Sequence, residues 1–270
     1  MIGDIGRELK GHRSPNRFAG ETPIGATAMS LHHVYLSDLA TFSGASTVEI
    51  GGEEAHHAVR VKRLEVGDSL VLIDGKGRKL EGPIAAIDKE KRSGEWKISV
   101  SAAAGISVEA RAEPEIVVFA SAPKGDRLDE MIDGLSQVGV ARWHPLMTKR
   151  TVVDPRPTKL DRLQRIAMEA MKQCGRTWVL EIGEATAISR VTRGARTVVA
   201  DGTGQGKIGP IPGAGTLSLL IGPEGGFAPE ELEGLRAGGC QIVKFGTHIM
   251  RVETAAVVAA AMVGSSASAG

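Results

Sequence analysis

Residues 217–261 read LSLLIGPEGGFAPEELEGLRAGGCQIVKFGTHIMRVETAAVVAAA, and this stretch decides the fold. Two strand-like runs, 217–221 and 242–245, each end in a glycine-containing loop, 222–226 and 246–251, and each loop leads into a helical segment. Pro229 occupies a first-turn position, where a missing N–H costs nothing, and Glu230 and Glu231 follow where the helix dipole favours negative charge. Gly238 and Gly239 end that helix, and Thr254 is the expected N-cap of the last one. Strands alternating with helices predict an α/β fold on a parallel sheet. In such sheets ligands bind beyond the carboxyl ends of the strands. Glycines there admit a ligand to the main chain because no Cβ intervenes. The two loops are therefore expected to floor one pocket.

The 270-residue chain suits two domains, and 42% apolar with 24% charged residues is ordinary for a globular protein. A net charge of +1 does not by itself announce a nucleic-acid partner, so local charge must make that case. Two cysteines, Cys174 and Cys240, give no disulfide framework and no metal spacing, which suits a reducing, cytoplasmic compartment. Cys174 is expected to be a small buried residue. The adjacent His56 and His57 point different ways on a helix, so no metal is expected there. The longest apolar run, 255–263, is shorter than the roughly 20 residues a bilayer span needs. Neither a membrane segment nor a secretory signal is expected. Residues 1–28 are polar and glycine-rich, and read as a disordered extension ahead of Met29.

From 31 to 105 the pattern is one of short strands, 33–36, 47–50, 69–73, 82–87 and 96–100, separated by turn signals such as Gly51-Gly52 and Asp74-Gly75. A helical stretch, 53–63, lies between the second and third. Five strands and one small helix predict a compact β-barrel. His56, Arg60, Lys62 and Arg63 give it a dense basic patch, suited either to phosphate contact or to plain solvation.

Glu113-Pro114 marks the expected domain boundary, separating 29–111 from 112–270. Strand 116–120, loop 121–127, helix 128–138 and strand 140–145 follow. The segment 149–176 carries eight basic residues against three acids. Leu160, Leu163, Ile166, Ala167, Ala170 and Met171 recur at helical spacing, so one face packs and the other is basic. Residues 197–200 form a strand running into Gly202-Thr203-Gly204-Gln205-Gly206, a pattern like that of dinucleotide loops. Pro210 and Pro212 forbid the helix such a loop requires, so 201–215 is expected to be a long loop.

Gly222-Pro223-Glu224-Gly225-Gly226, followed by Gly246, Ile249, Arg251 and Glu253-Thr254-Ala255, resembles the C-terminal signature of SPOUT-class methyltransferases. Within that class it resembles the family that methylates N3 of a uridine in 16S ribosomal RNA. Residues 56–77 resemble that family's N-terminal PUA-like domain, Lys124, Gly125, Asp126 and Arg127 match a further segment, and Glu169, Ala170, Gln173, Cys174 and Arg176 another. The chain departs from the family pattern at Gly134 and Gln137, where the family usually carries Lys and Glu, and at His248 and Met250, where Arg and Leu are usual.

The resemblance implies a SPOUT-type α/β domain with a deep trefoil knot behind a PUA-like barrel, S-adenosylmethionine as cofactor, a homodimer, and 16S rRNA of the small subunit as partner. It implies cofactor contacts at Ala200, Ile221, Gly222, Glu224, Gly225, Phe245, Gly246, Ile249 and Met250, with Glu224 a candidate anionic wall facing the sulfonium. Arg251 is expected to stabilise the developing uracil anion, and Glu253 to orient Arg251 or accept the N3 proton. RNA contacts are expected from His56, Arg60, Lys62, Arg63, Lys124, Arg127, Arg150 and Arg176. A non-catalytic RNA-binding role and a transfer-RNA substrate are the alternatives.

Overall fold

In the computed structural model, which describes residues 31–152 and 160–268, the first strands form close to where the alternation places them. β1 (His32–Tyr35), β2 (Thr47–Ile50), β3 (Ser69–Ile73), β4 (Arg78–Lys89), β5 (Trp96–Ser101) and the two-residue β6 (Ser107–Val108) build one sheet. Its order is β1-β3-β4-β5-β2, with β6 on β4. Val34 from one edge and Val48 and Ile50 from the other share a core with Leu70, Leu72, Leu80, Ile98 and Val100, so the sheet curls over its apolar face. Between β2 and β3 the helix forms as α1 (Gly52–His56), which runs on into a π-turn, His57–Val61. The Lys62 N–H closes that turn on the His57 carbonyl at 3.0 Å.

The second sheet is wholly parallel. It contains β7 (Glu115–Ala120), β8 (Arg142–Met147), β9 (Glu181–Ile182), β10 (Thr186–Ala187), β11 (Thr197–Gln205), β12 (Thr216–Ile221) and β13 (Gln241–Val243), in the order β10-β8-β7-β12-β11-β13 with β9 on β8. Helices α2 (Arg127–Gln137), α3 (Leu160–Cys174), α4 (Pro229–Ala237) and α5 (Val252–Ser268) alternate with the strands. Alternate residues of β11 and β12 serve opposite faces, as a strand's period of two requires. Val198, Leu217, Leu219 and Ile221 pack with residues of α2, α3 and α5, whereas Val199 and Leu220 pack with Leu232 and Leu235 of α4. This is a three-layer α/β arrangement.

Several expectations change. β11 does not stop at Ala200: Gly202, Thr203, Gly204 and Gln205 continue it, with a register shift against β13 between Ala200 and Gln205. A Cβ on Gly204 would lie 2.6 Å from the Ile242 and Val243 backbone, so that glycine serves a close backbone approach. No helix follows, as the prolines require. Thr254 is not the N-cap of α5, which begins at Val252; the Ala255 N–H bonds the Arg251 carbonyl at 2.8 Å, placing Arg251 at the cap. Cys174 is exposed and Cys240 buried. Leu160 is also exposed, because it opens α3 ahead of the packed stripe of Leu163, Ala167, Ala170 and Met171. The expected extension 1–28, and Asp154, Arg156 and Lys159 of the basic segment, lie outside the described residues.

The described residues cluster as one compact unit, and two devices join its sheets. Met171, with Met168 beside it, packs against Val71 and Ile73 of β3. The turn after β3 hydrogen-bonds the chain after α3, Gly77 N–H to Thr177 O at 3.0 Å and Val179 N–H to Gly75 O at 3.1 Å. Buried Asp74 braces the turn by accepting the Lys76 and Arg78 N–H groups at 2.7 and 3.0 Å.

Candidate functional site

Register brings the carboxyl ends of three strands, β7, β12 and β13, level with the middle of β11. Ala200 of β11 lies beside Ile221 of β12 and Val243 of β13, and Ile221 lies beside Ala120 of β7. Immediately beyond is a cavity of about 390 Å³ lined by Ala200, Asp201, Gly202, Lys244, Phe245, Thr247, His248, Ile249, Met250 and Ala255. Four of the expected cofactor residues, Ala200, Phe245, Ile249 and Met250, are therefore gathered at one place. Gly246 sits within the same loop at a φ of 79°, a backbone state that glycine adopts without penalty. Ile249 is fully exposed at this cavity.

The 222–226 loop is adjacent but does not line the cavity. Ile221 is buried at the end of β12. A Cβ on Gly222 would meet the Phe227 ring at 3.1 Å, so Gly222 makes room for a packed aromatic rather than for a ligand. Gly226 completes a tight turn, its N–H on the Pro223 carbonyl at 2.8 Å. The Gly225 carbonyl accepts the Arg150 guanidinium at 2.7 Å, which ties the loop to the end of β8. Glu224 is exposed and does not wall the cavity; the acid that lines it is Asp201. Asp201 was legible only as the residue directly after a strand end. Its Oδ1 accepts the Thr203 N–H at 2.9 Å and hydroxyl at 2.6 Å, and the Thr203 oxygen accepts Arg236 of α4 at 2.7 Å.

Arg251 is exposed at the N-cap of α5, and Glu253 is buried in the first turn, 9% exposed. Among the described residues no hydrogen bond or ion pair joins the two side chains, so the expected orientation of Arg251 by Glu253 is not formed. Glu253 instead faces the positive end of the helix dipole.

The basic residues divide by what they touch. His56, Arg60, Lys62 and Arg63 are all exposed on the α1 and π-turn segment, and among the described residues none of the four side chains makes a hydrogen bond or ion pair. Arg63 has a φ of 57°, the left-handed region that non-glycine residues seldom occupy. Lys124 is exposed and Arg127 half-buried in the loop after β7 and the start of α2. Arg176 departs from its expected RNA-facing role. It is half-buried, and its Nη1 donates to the Ser136 and Val140 carbonyls at 2.6 and 3.0 Å, closing the end of α2. Burial pushes its pKa down. Arg162 is paired with Asp129, and Lys149 with Glu230.

A larger cavity, about 480 Å³, lies between the end of β8 and α4. Its Lys149 and Glu230 satisfy each other, and it lies off the strand ends where the glycine loops converge, so the smaller cavity is the better candidate. Among the described residues no group of three His, Cys, Asp or Glu side chains is placed to hold a metal, and no helix is long and apolar enough to cross a membrane.

Known proteins share these features. A family model described as an RNA methyltransferase domain matches residues 111–264, and one described as an RNA methyltransferase PUA domain matches residues 50–91. The ribosomal RNA small subunit methyltransferase E of Bacillus subtilis is 30% identical over 236 residues, covering 80% of this chain and 88% of its own. Its Mycobacterium bovis counterpart is 27% identical over 252 residues, covering 86% and 90%. The fold is that of the Neisseria gonorrhoeae ribosomal RNA small subunit methyltransferase E solved with S-adenosyl methionine, with a TM-score of 0.67 at 22% identity over 86% of this chain and 96% of that one. A Legionella pneumophila structure with bound SAM gives a TM-score of 0.70 at 22% identity over 87% and 98%.

Proposed function

This chain belongs to the RNA methyltransferase family, and from that premise we propose that it methylates N3 of a uridine in 16S rRNA of the small ribosomal subunit, with S-adenosylmethionine as donor. The observation that carries the reading is the cavity beside the middle of β11 and beyond the end of β13, with Arg251 and Glu253 on the loop-to-helix segment beside it. The cavity fits the cofactor in kind. It has an apolar wall of Ala200, Phe245, Met250 and Ala255, a carboxylate at Asp201, and a loop whose Gly246 leaves main chain accessible. Phe245, Gly246, Ile249 and Met250 would hold the donor, with Ile221, Gly222 and the 223–225 turn supporting the floor from behind. When bound, the cofactor supplies an electrophilic methyl group on a sulfonium.

The chain's own residues supply the rest. Uracil N3 is a weak acid, of roughly tyrosine-like strength, pKa about 10, so transfer requires removal of its proton and stabilisation of the anion. In this reading Arg251, exposed and permanently charged, stabilises that anion. Glu253 is the proton acceptor in this reading, since it is buried and not engaged with Arg251. His56, Arg60, Lys62 and Arg63 hold RNA phosphates and Lys124 and Arg127 extend that surface, while Arg150 acts through the Gly225 loop. Residues 29–111 form the RNA-gripping PUA-like barrel and 112–270 the catalytic SPOUT domain, with a trefoil knot and a homodimer about it, working in the cytoplasm without a metal.

The test is titration of the purified chain with S-adenosylmethionine, followed by methyl transfer to small subunits from a strain lacking its own uridine-N3 enzyme. Binding and transfer to a single uridine are expected. Binding without transfer to small subunits, but with transfer to transfer RNA, would overturn the ribosomal assignment, and a folded chain that binds no cofactor would overturn catalysis altogether.

A further inference from the structure

We propose that Lys172 is a positioning residue, whose ion pair with Glu54 fixes the cationic segment 56–63 relative to the methyl-transfer cavity, so that bound RNA presents its base in register. The role rests on the RNA-methylating reading above and adds to it a residue outside both the cavity and the patch.

Lys172 lies near the end of α3, with its side chain only 15% exposed. Its Nζ is 2.8 Å from Glu54 Oε1 and 2.8 Å from Glu169 Oε1. Glu169 is a neighbour on the same helix and is 66% exposed. Glu54 is different: it stands 118 positions away in the first turn of α1, the short helix that continues through His56 and the π-turn to Arg60, Lys62 and Arg63. The contact therefore joins the body of the catalytic sheet's α3 directly to the element that carries the patch.

The chemistry suits positioning more than stability. Taking an ammonium out of water is costly, and a half-buried pair offsets that cost only when its geometry is well met. Burial works to lower the Lys172 pKa, but hydrogen bonds and charge from Glu169 and Glu54 outweigh it and raise it, so the side chain stays an ammonium. The apolar seam beside it, Met171 and Met168 on Val71 and Ile73, is non-directional and tolerates sliding. An ammonium held between two carboxylates at 2.8 Å does not. The turn bonds at Gly75 and Gly77 tie the end of β3 to the chain after α3, and Lys172 ties α3 to the element that carries the patch. A target base must meet a methyl group within a near-attack distance, and a misplacement of about 1 Å costs on the order of a hundredfold in rate.

The experiment compares the full-length chain with Lys172→Met, Glu54→Gln, and the reversed pair Glu54→Lys with Lys172→Glu, the last made together with Glu169→Gln so that the new carboxylate meets no like charge. It measures methyl transfer at saturating small subunits, affinity for the same subunits, affinity for S-adenosylmethionine by titration, and melting temperature. The expected result is a kcat lowered roughly 10- to 100-fold in both single variants, with cofactor affinity unchanged and kcat largely recovered in the reversed pair. A merely structural role would instead lower the melting temperature and cofactor affinity together, without recovery in the reversed pair, and that overturns the proposal. Should Lys172→Met fail to fold, Glu54→Gln decides, because it leaves Lys172 paired with Glu169. Wild-type transfer with an unaffected Glu54→Gln overturns the positioning role alone; no wild-type transfer overturns the functional reading and this role with it.

Discussion

Gly134 stands in the middle of α2, where a glycine costs about 1 kcal/mol against alanine. On propensity alone, Gly134→Ala stabilises. The packing says otherwise. A Cβ built there lies 2.7 Å from Val257 Cγ2, 3.5 Å from Cγ1 and 3.7 Å from Cβ. Val257 sits in α5, where a β-branched side chain keeps essentially one rotamer, so it cannot swing aside. The helices must separate instead, and overpacking of this kind costs about 1–3 kcal/mol. Set against the propensity gain, Gly134→Ala is expected to destabilise by about 1 kcal/mol. Urea unfolding reads this as a lower midpoint at unchanged slope. In a Val257→Ala background the clash is gone, and the same change should stabilise by about 1 kcal/mol, giving a coupling of about 2 kcal/mol. If Gly134→Ala raises the midpoint in the wild-type background, the close-packing account is wrong. The other departure in α2 has a local explanation: Gln137 Nε2 donates to Asp133 Oδ2 at 2.7 Å, one turn back.

Arg251→Ala should lower kcat by about 10²–10³-fold, the usual cost of losing one donor to a developing anion, with cofactor affinity by titration unchanged; a kcat within a few-fold of wild type removes Arg251 from the mechanism. Replacing Arg60, Lys62 and Arg63 by Gln should flatten the dependence of log affinity on log salt by about 2–3, and an unchanged slope would show a merely solvated face. Arg63→Gly should relieve left-handed strain, stabilising the fold by about 1 kcal/mol while weakening RNA binding; a loss of stability would deny the strain. His32 is held to a pKa of about 4, chiefly by burial and then by His57, Lys62 and Lys172, and its Nε2 is buried without a partner among the described residues. The unfolded chain takes up that proton near pH 6.5 and the folded chain only near 4, so this group's contribution to stability is present above pH 6.5 and is lost as pH falls toward 4. His32→Phe should flatten the wild-type decline across that window in urea midpoints; an undiminished decline assigns it to other groups.

What was legible in the sequence depends on how local the physics is. The βα units of 217–261 were readable because Pro229, the two following glutamates and Gly238-Gly239 are punctuation that acts within one helix. Glu231 also caps that helix by accepting the Ala228 N–H at 2.8 Å, a contact set by spacing alone. The extension of β11 through Gly202 to Gln205 was not readable, because the reason for those glycines is β13, a strand some forty residues away. The Gly222 loop misled for a related reason: a missing Cβ looks the same in sequence whether a ligand or the Phe227 ring occupies the space. Likewise Glu224 and Asp201 both read as acids following a strand, and only the fold shows that Asp201, within the extended β11, lines the cavity while Glu224 does not.

Charge was the least legible quantity, because a sequence does not show which cations are already paired. Counting basic residues points to 149–176. Of these, Lys149, Arg162 and Lys172 are spent on carboxylates, and Arg150 and Arg176 on backbone carbonyls. Charge already neutralised releases few counterions on meeting a phosphate, and among the described residues Arg165 is the α3 cation left exposed without a hydrogen-bond or ion-pair partner. The 56–63 segment is the reverse case: fewer cations, all exposed, on and just after a π-turn that is followed by Arg63 in the left-handed region. Rare backbone states persist where the surroundings over-determine them, and they cluster at binding sites. The same accounting gives α3 its own part. Lys172, the largely buried cation of α3, pairs with Glu54, so this helix is braced against the element that carries the exposed 56–63 cations.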